Sequence, residues 1–62
     1  MKKGMLQVVP RYLGAEELAS YVGLGKARAR GIGAMAGARI KFGKRVLYDR
    51  EAVDRYMESL RA

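Results

Sequence analysis

Residues 18–24 of the chain read LASYVGL, and this stretch predicts how the first half of the chain folds. Ala19 is small enough to let two helices cross closely, and Gly23, four residues later, tolerates the positive φ of a sharp turn. The apolar residues expected to fill the angle between the helices are Leu18, Val22, Leu24, Ala29 and Ile32. The pattern predicts two helices that meet at a steep angle, as in a helix-turn-helix.

The segment KARARGIGAMA, residues 26–36, is predicted to be the second of these helices. The apolar stripe expected to face the core consists of Ala29, Ile32 and Ala36, and the opposite side carries Ala27, Arg30 and Ala34. Gly31 and Gly33 interrupt the pattern, and each costs about 1 kcal/mol relative to alanine inside a helix. We therefore expect this helix to depend on packing or on a bound ligand for its stability.

Residues 39–48 predict a β-hairpin. Residues 39–42, RIKF, alternate charged and apolar side chains with the period of a half-buried strand, and residues 46–48, VLY, form a β-rich partner. Gly43 and Lys44 make a two-residue turn, and a glycine in the first position suits type II′. The apolar positions of the hairpin, interpreted as its stabilising side, are Ile40, Phe42, Val46 and Tyr48.

Both ends of the chain have simple interpretations. Asp49 is a good N-cap for a last helix, whose predicted core stripe consists of Val53, Tyr56, Met57 and Leu60. Before the first helix, residues 11–13 are predicted to form a short strand, and residues 1–9 are interpreted as a flexible N-terminal arm. Residues 10–62 would then be one domain.

The composition narrows the classes of function. With neither histidine nor cysteine, the chain lacks the usual general base, the thiolate nucleophile and the usual zinc ligands, so we expect neither an enzyme nor a metal or other cofactor. No apolar run approaches the roughly 18–20 residues of a membrane span, so no membrane partner is expected. A chain without cysteine suits a reducing compartment, which favours a cytoplasmic location.

The charge is concentrated in one part of the chain. The net charge is +7, and the segment 26–45 has seven cations and no acid, whereas the remaining six cations are balanced by six acids. The seven are Lys26, Arg28, Arg30, Arg39, Lys41, Lys44 and Arg45. Such a block creates a local positive field that attracts a polyanion, and nucleic acid ranks before an anionic membrane surface as that partner. The alternative is a helical corner whose cations are merely solvated.

Taken together, the order of strand, helix, turn, helix, hairpin and helix predicts a small α+β winged helix-turn-helix domain. Its second helix would enter the major groove of double-stranded DNA, and its hairpin would reach the neighbouring backbone or minor groove. The residues predicted to contact DNA are Lys26, Ala27, Arg28, Arg30, Lys41, Lys44 and Arg45. One short helix reads few base pairs, so cooperative copies on repeated sites are also expected.

Two stretches of the chain also resemble a known family. EELASYVGLGKARAR, residues 16–30, and GARIKFGKRVLYDREAVDRYM, residues 37–57, are similar to the excisionases of conjugative transposons and integrative elements, which are winged-helix proteins related to the MerR-type DNA-binding domain. The resemblance implies a DNA-bending architectural protein that acts beside a tyrosine integrase and favours excision. It would make residues 26–36 the recognition helix, with Arg30 facing the groove, and residues 39–48 the wing. Two alternatives stay open: a small winged-helix transcriptional regulator, and a basic module that docks on an acidic protein.

Overall fold

Six elements make up the computed structural model, which describes residues 9–61. They are β1 (Tyr12–Leu13), α1 (Ala15–Val22), α2 (Lys26–Met35), β2 (Arg39–Phe42), β3 (Arg45–Asp49) and α3 (Arg50–Ser59). The strands form one antiparallel sheet in the order β1-β3-β2. This is the predicted α+β winged helix-turn-helix. The predicted arm, except for Val9, lies outside the described residues. Within residues 9–61 no helix has the length and apolar character needed to cross a membrane.

The corner between α1 and α2 forms as the LASYVGL stretch predicts. Gly23 ends α1 in the left-handed conformation, with φ of 77°, and its N–H donates to the carbonyl of Ala19 at 2.9 Å. Leu18 and Ala29 are fully buried between the helices. Leu24, however, was expected inside the corner and is exposed. That part of the prediction is wrong, because Leu24 lies in the turn itself and not on the inner side of either helix.

The core of the domain is small and includes Tyr48. The buried residues are Leu13, Leu18, Ala29, Ala38, Tyr48, Ala52 and Val53, with contributions from each helix and from β1 and β3. Only Tyr48 in this set is aromatic, so its ring fills much of the space between the sheet and α2. Burial of so few side chains leaves a 62-residue domain with a narrow margin of stability.

Gly33 is the point at which α2 meets that ring. A methyl carbon added at Gly33 would lie 2.5 Å from Cε1 of Tyr48 and nearer still to Cδ1, whereas one added at Gly31 would meet nothing within 4 Å. Gly33 therefore lets the helix lie directly on the aromatic ring. The packing that was expected to support α2 is therefore found at Gly33, where the helix contacts Tyr48. Gly31 makes no comparable contact within the described residues.

The hairpin β2–β3 has the predicted turn. Phe42 and Arg45 are opposite each other, so Gly43 and Lys44 form a two-residue loop. Gly43 has φ of 61°, and within residues 9–61 no residue other than glycine has positive φ. A type I′ turn needs positive φ at both central residues, so this loop is of the type II′ class.

The burial predicted for β2 is wrong. Ile40 and Phe42 were interpreted as the stabilising side of the hairpin, yet they are 39% and 73% exposed. Arg39 and Lys41 pair with Tyr48 and Val46, so the charged half of β2 shares a sheet face with the core residues. β2 is an edge strand. The helices cover only the Tyr48 side of the sheet, so Ile40 and Phe42 lie on the uncovered side.

α3 is capped as predicted but is less buried than predicted. The Oδ1 atom of Asp49 accepts a hydrogen bond from the Glu51 backbone N–H at 3.0 Å, which is the expected N-cap. Ala52 and Val53 are buried, whereas Met57 and Leu60 are exposed, which contradicts the interpretation of the whole apolar stripe as core. The buried residues of α3 lie in its first half, and in its second half Tyr56 is only half-buried.

Candidate nucleic-acid interface

α2 presents one continuous exposed side. Its exposed residues are Lys26, Ala27, Arg28, Arg30, Gly31, Ala34 and Met35, and the side that faces the core holds Ala29, Ile32 and Gly33. Ala27, Gly31 and Ala34 follow one another at helical spacing along the outermost row, with Arg28 and Arg30 on either side of them. The side chains of this row are small and the two guanidinium groups flank it. This side of α2 can therefore approach another surface closely while the two arginines reach outward.

The start of α2 adds to the positive character of this side. Gly25 is the N-cap and supplies no side-chain hydrogen bond, and the first turn has no acidic residue. The positive end of the helix dipole is therefore not offset by a carboxylate within the helix itself. The first turn of α2 and its arginines favour the same kind of ligand, an anion.

The hairpin β2–β3, here called the wing, has cations on both of its faces and at its tip. Arg39 and Lys41 share the face of Tyr48, whose ring contacts α2, so these two cations lie on the α2 side of the sheet. Arg45 lies on the other face, where it is the cross-strand neighbour of Phe42, and Lys44 is in the turn. Arg39 and Lys41 thus extend the positive surface of α2, whereas Arg45 faces the other way.

Every acidic side chain has a partner, and only Glu16 is paired with a cation of the 26–45 segment. Five of the six form ion pairs of 3.0–3.7 Å, which join Asp49 and Glu51 to Arg11, Asp54 to Arg50, Glu58 to Arg61 and Glu16 to Lys26. The sixth, Glu17, accepts a hydrogen bond from the Gly14 backbone N–H at 2.8 Å. The carboxylates therefore brace β1, the helix ends and α3 and leave most of the basic block alone.

Seven cations consequently have no acidic partner within residues 9–61, and one of them, Arg55, lies apart on α3. The other six are Arg28, Arg30, Arg39, Lys41, Lys44 and Arg45, and we call them the basic surface. The predicted contact Lys26 differs, because its Nζ lies 3.5 Å from Oε2 of Glu16. Both side chains are more than half exposed, so this pair is weak and reduces the contribution of Lys26 only modestly.

The perturbed pKa values belong to the bracing contacts and not to the basic surface. Hydrogen bonds from Arg11 lower the pKa of Asp49 and help to join β1 to the start of α3. The Tyr21 hydroxyl donates to Oδ1 of Asp54 at 2.6 Å, which raises the pKa of Tyr21 and ties α1 to α3. These groups stabilise the scaffold that holds α2 and the wing in place.

Two exposed residues of the wing were absent from the predicted DNA contacts. Arg39 is exposed, has no acidic partner within residues 9–61 and lies beside Lys41 on the α2 side of the wing. Phe42 is exposed between the wing cations. The alternation in the RIKF stretch predicted that Phe42 is buried. The sequence does not indicate that the helices cover the face of Arg39 and Lys41 instead of the face of Phe42.

Comparison with known proteins identifies no relative. No protein-family model matches the chain, and neither a curated protein nor a solved structure matches it. The chemistry of the surface therefore carries the functional argument. Within residues 9–61 no three acidic side chains come together in a way that could hold a metal ion.

Proposed function

We propose that this protein binds double-stranded DNA, with α2 in the major groove and the wing on the neighbouring backbone or minor groove. The observation that carries the proposal is the segregation of charge: of the seven cations without an acidic partner within residues 9–61, six lie on α2 and the wing. The one acid that pairs with a cation of α2 is Glu16, through its exposed contact with Lys26. A surface that only served solubility would gain as much from scattered charges.

The shape of the surface supports the same ligand. The major groove of B-DNA is about 12 Å wide and admits one α-helix. The outermost row of α2 is made of small residues, which lets the helix backbone approach the floor of the groove, and the flanking Arg28 and Arg30 can reach base edges or phosphates. Arg39 and Lys41 lie on the same side as α2, so one duplex can contact the helix and the wing together.

We further propose that the protein is an architectural factor in excisive site-specific recombination, acting beside a tyrosine integrase. The resemblance of residues 16–30 and 37–57 to excisionases supports this finer role. The size of the domain is compatible with it, because one ten-residue recognition helix reads only a few base pairs. Specificity would then come from neighbouring copies, from DNA shape and from the integrase.

A salt titration tests the DNA binding. The native chain should bind a mixed-sequence duplex with a log K against log salt slope of about −4 to −5, as expected when roughly five cations neutralise phosphates. Arg61→Ala is the control variant, and its slope should equal that of the native chain. It removes a cation that is paired with Glu58 at 3.1 Å and lies outside the basic surface. A native slope shallower than about −2 would contradict the proposal.

Two assays test the role in recombination. A footprint across the ends of a mobile element that carries this chain should show protection of neighbouring repeated sites. Excision by the integrase of that element, reconstituted with purified proteins, should require the chain. Footprints without any effect on excision would favour the transcriptional alternative.

A further inference from the structure

Phe42 is a large apolar side chain that the fold does not use. It is 73% exposed, more than any other large apolar residue described in residues 9–61. It is the last residue of β2 before the turn and lies on the sheet face that the helices leave uncovered. A side chain so exposed adds little to folding, and a polar residue would fill the same place in the strand equally well.

The surroundings of this ring are cationic. Lys41 precedes it, Lys44 is in the turn that follows, and Arg45 lies directly across the hairpin. None of the three has an acidic partner within residues 9–61. Within residues 9–61 the one cation–π contact is that of Arg11 over the Tyr12 ring. None of the wing cations therefore stacks on the Phe42 ring. The wing tip therefore presents a bare aromatic ring among three unpaired cations.

Duplex DNA satisfies both features. The cations require a polyanion, and the ring requires apolar surface within reach of the same tip. The phosphate backbone of DNA supplies the charge but no apolar surface, whereas the base stack supplies that surface in the grooves. The tip of the wing is the two-residue turn of Gly43 and Lys44, and the side chains beside it can reach into a minor groove about 7.5 Å deep.

Resting on the proposed DNA binding, we propose that Phe42 is an apolar wedge that the wing inserts at a base step in the minor groove. Wedges of this type partly unstack the step and bend the duplex toward the major groove. The two-residue turn places Phe42 directly across the hairpin from Arg45 and one residue before Gly43 and Lys44, so the ring and these cations reach the same stretch of duplex. A second copy of the chain is a poorer occupant, because two such tips would bring six cations together.

The test compares native chain with Phe42→Ala, Phe42→Leu and Leu60→Ala. Leu60 is the matched control, since it is 58% exposed and lies at the end of α3, away from the wing. The probe is a duplex of about 30 base pairs that the native chain selects from a random library. Fluorophores at its ends report bending by energy transfer, and a 2-aminopurine scan locates the unstacked step.

Phe42→Ala should lose most of the bend and the 2-aminopurine signal and bind roughly tenfold more weakly, because the contact of the ring with the base step is lost. Its salt slope should stay native, since no charge is removed. Phe42→Leu should keep part of the bend, because leucine also acts as a wedge. Leu60→Ala should behave as the native chain.

The outcomes separate this inference from the proposed function. If Phe42→Ala bends the duplex as the native chain does, the wedge is wrong and the DNA binding stands. A native chain that binds no duplex overturns both. Circular dichroism checks folding, and if Phe42→Ala does not fold, Phe42→Thr, which suits a strand, has the same expected result. An effect of Phe42→Ala on binding to an acidic protein, with DNA bending unchanged, would also overturn the wedge.

Discussion

The two glycines of α2 predict opposite effects of the same substitution. Gly31 and Gly33 lie two residues apart in one helix, and each would be replaced by alanine. A methyl group at Gly31 meets nothing within 4 Å, whereas at Gly33 it overlaps the ring of Tyr48. The pair therefore separates the helix propensity of alanine from the packing of α2 on the sheet.

The expected magnitudes follow from those two environments. Gly31→Ala should stabilise the domain by about 0.8–1.0 kcal/mol, which is the propensity difference between the residues. Gly33→Ala receives the same gain but overpacks the core, at a cost of about 1–3 kcal/mol. Tyr48 is only 2% exposed and rigid, which places the cost at the upper end of this range and the net destabilisation near 1–2 kcal/mol. Total stability is about 3–9 kcal/mol for a chain of this length, so both effects are measurable.

Urea unfolding followed by circular dichroism measures both variants against the native chain. Thermal unfolding should agree, with a shift of about 4–8 °C per kcal/mol for a domain this small. In a Tyr48→Leu background the ring is absent, so Gly33→Ala should lose most of its cost, and a double-mutant cycle measures that coupling. If Gly33→Ala stabilises the native domain as much as Gly31→Ala does, Gly33 does not have to be glycine for α2 to pack on Tyr48.

Two further predictions concern the interface and the scaffold. Arg30→Ala should weaken binding to the selected duplex by about 1–3 kcal/mol and hardly change binding to random sequence, whereas Lys44→Ala should weaken both equally and lower the salt slope by about 1; identical binding profiles from the two variants would contradict this division. Arg11 lowers the pKa of Asp49 below its ordinary value of 3.8. The stabilising contribution of that carboxylate should therefore be complete above about pH 5 and be lost as the pH falls below about 4 toward the folded-state pKa. Asp49→Asn keeps a capping side chain but should remove this part of the acid sensitivity, and urea unfolding at pH 7 and pH 3 measures it; an unchanged pH dependence would exclude the Arg11 pair as its source.

Local signals account for the features that were predicted correctly. Gly23 ends α1 because its backbone needs positive φ, and Gly43 sets the turn of the wing for the same reason. Asp49 caps α3 through a hydrogen bond to a residue two positions later. Each of these depends on neighbours within a few residues, so the sequence alone determines them, together with the order of the elements and the outward side of α2.

Packing between distant elements decided what the sequence left open. The reason for Gly33 became clear only once Tyr48, fifteen residues later, lay against α2. Phe42 and Leu60 have the spacing of buried residues but are exposed, since a small domain has too few elements to cover both faces of its sheet and the whole of α3. The sequence determined that seven cations lie in one segment, but the fold determined that Lys26 meets Glu16 and that the other six have no acidic partner within residues 9–61. Periodicity shows which side chains share a face, whereas burial and pairing depend on what the rest of the chain places opposite that face.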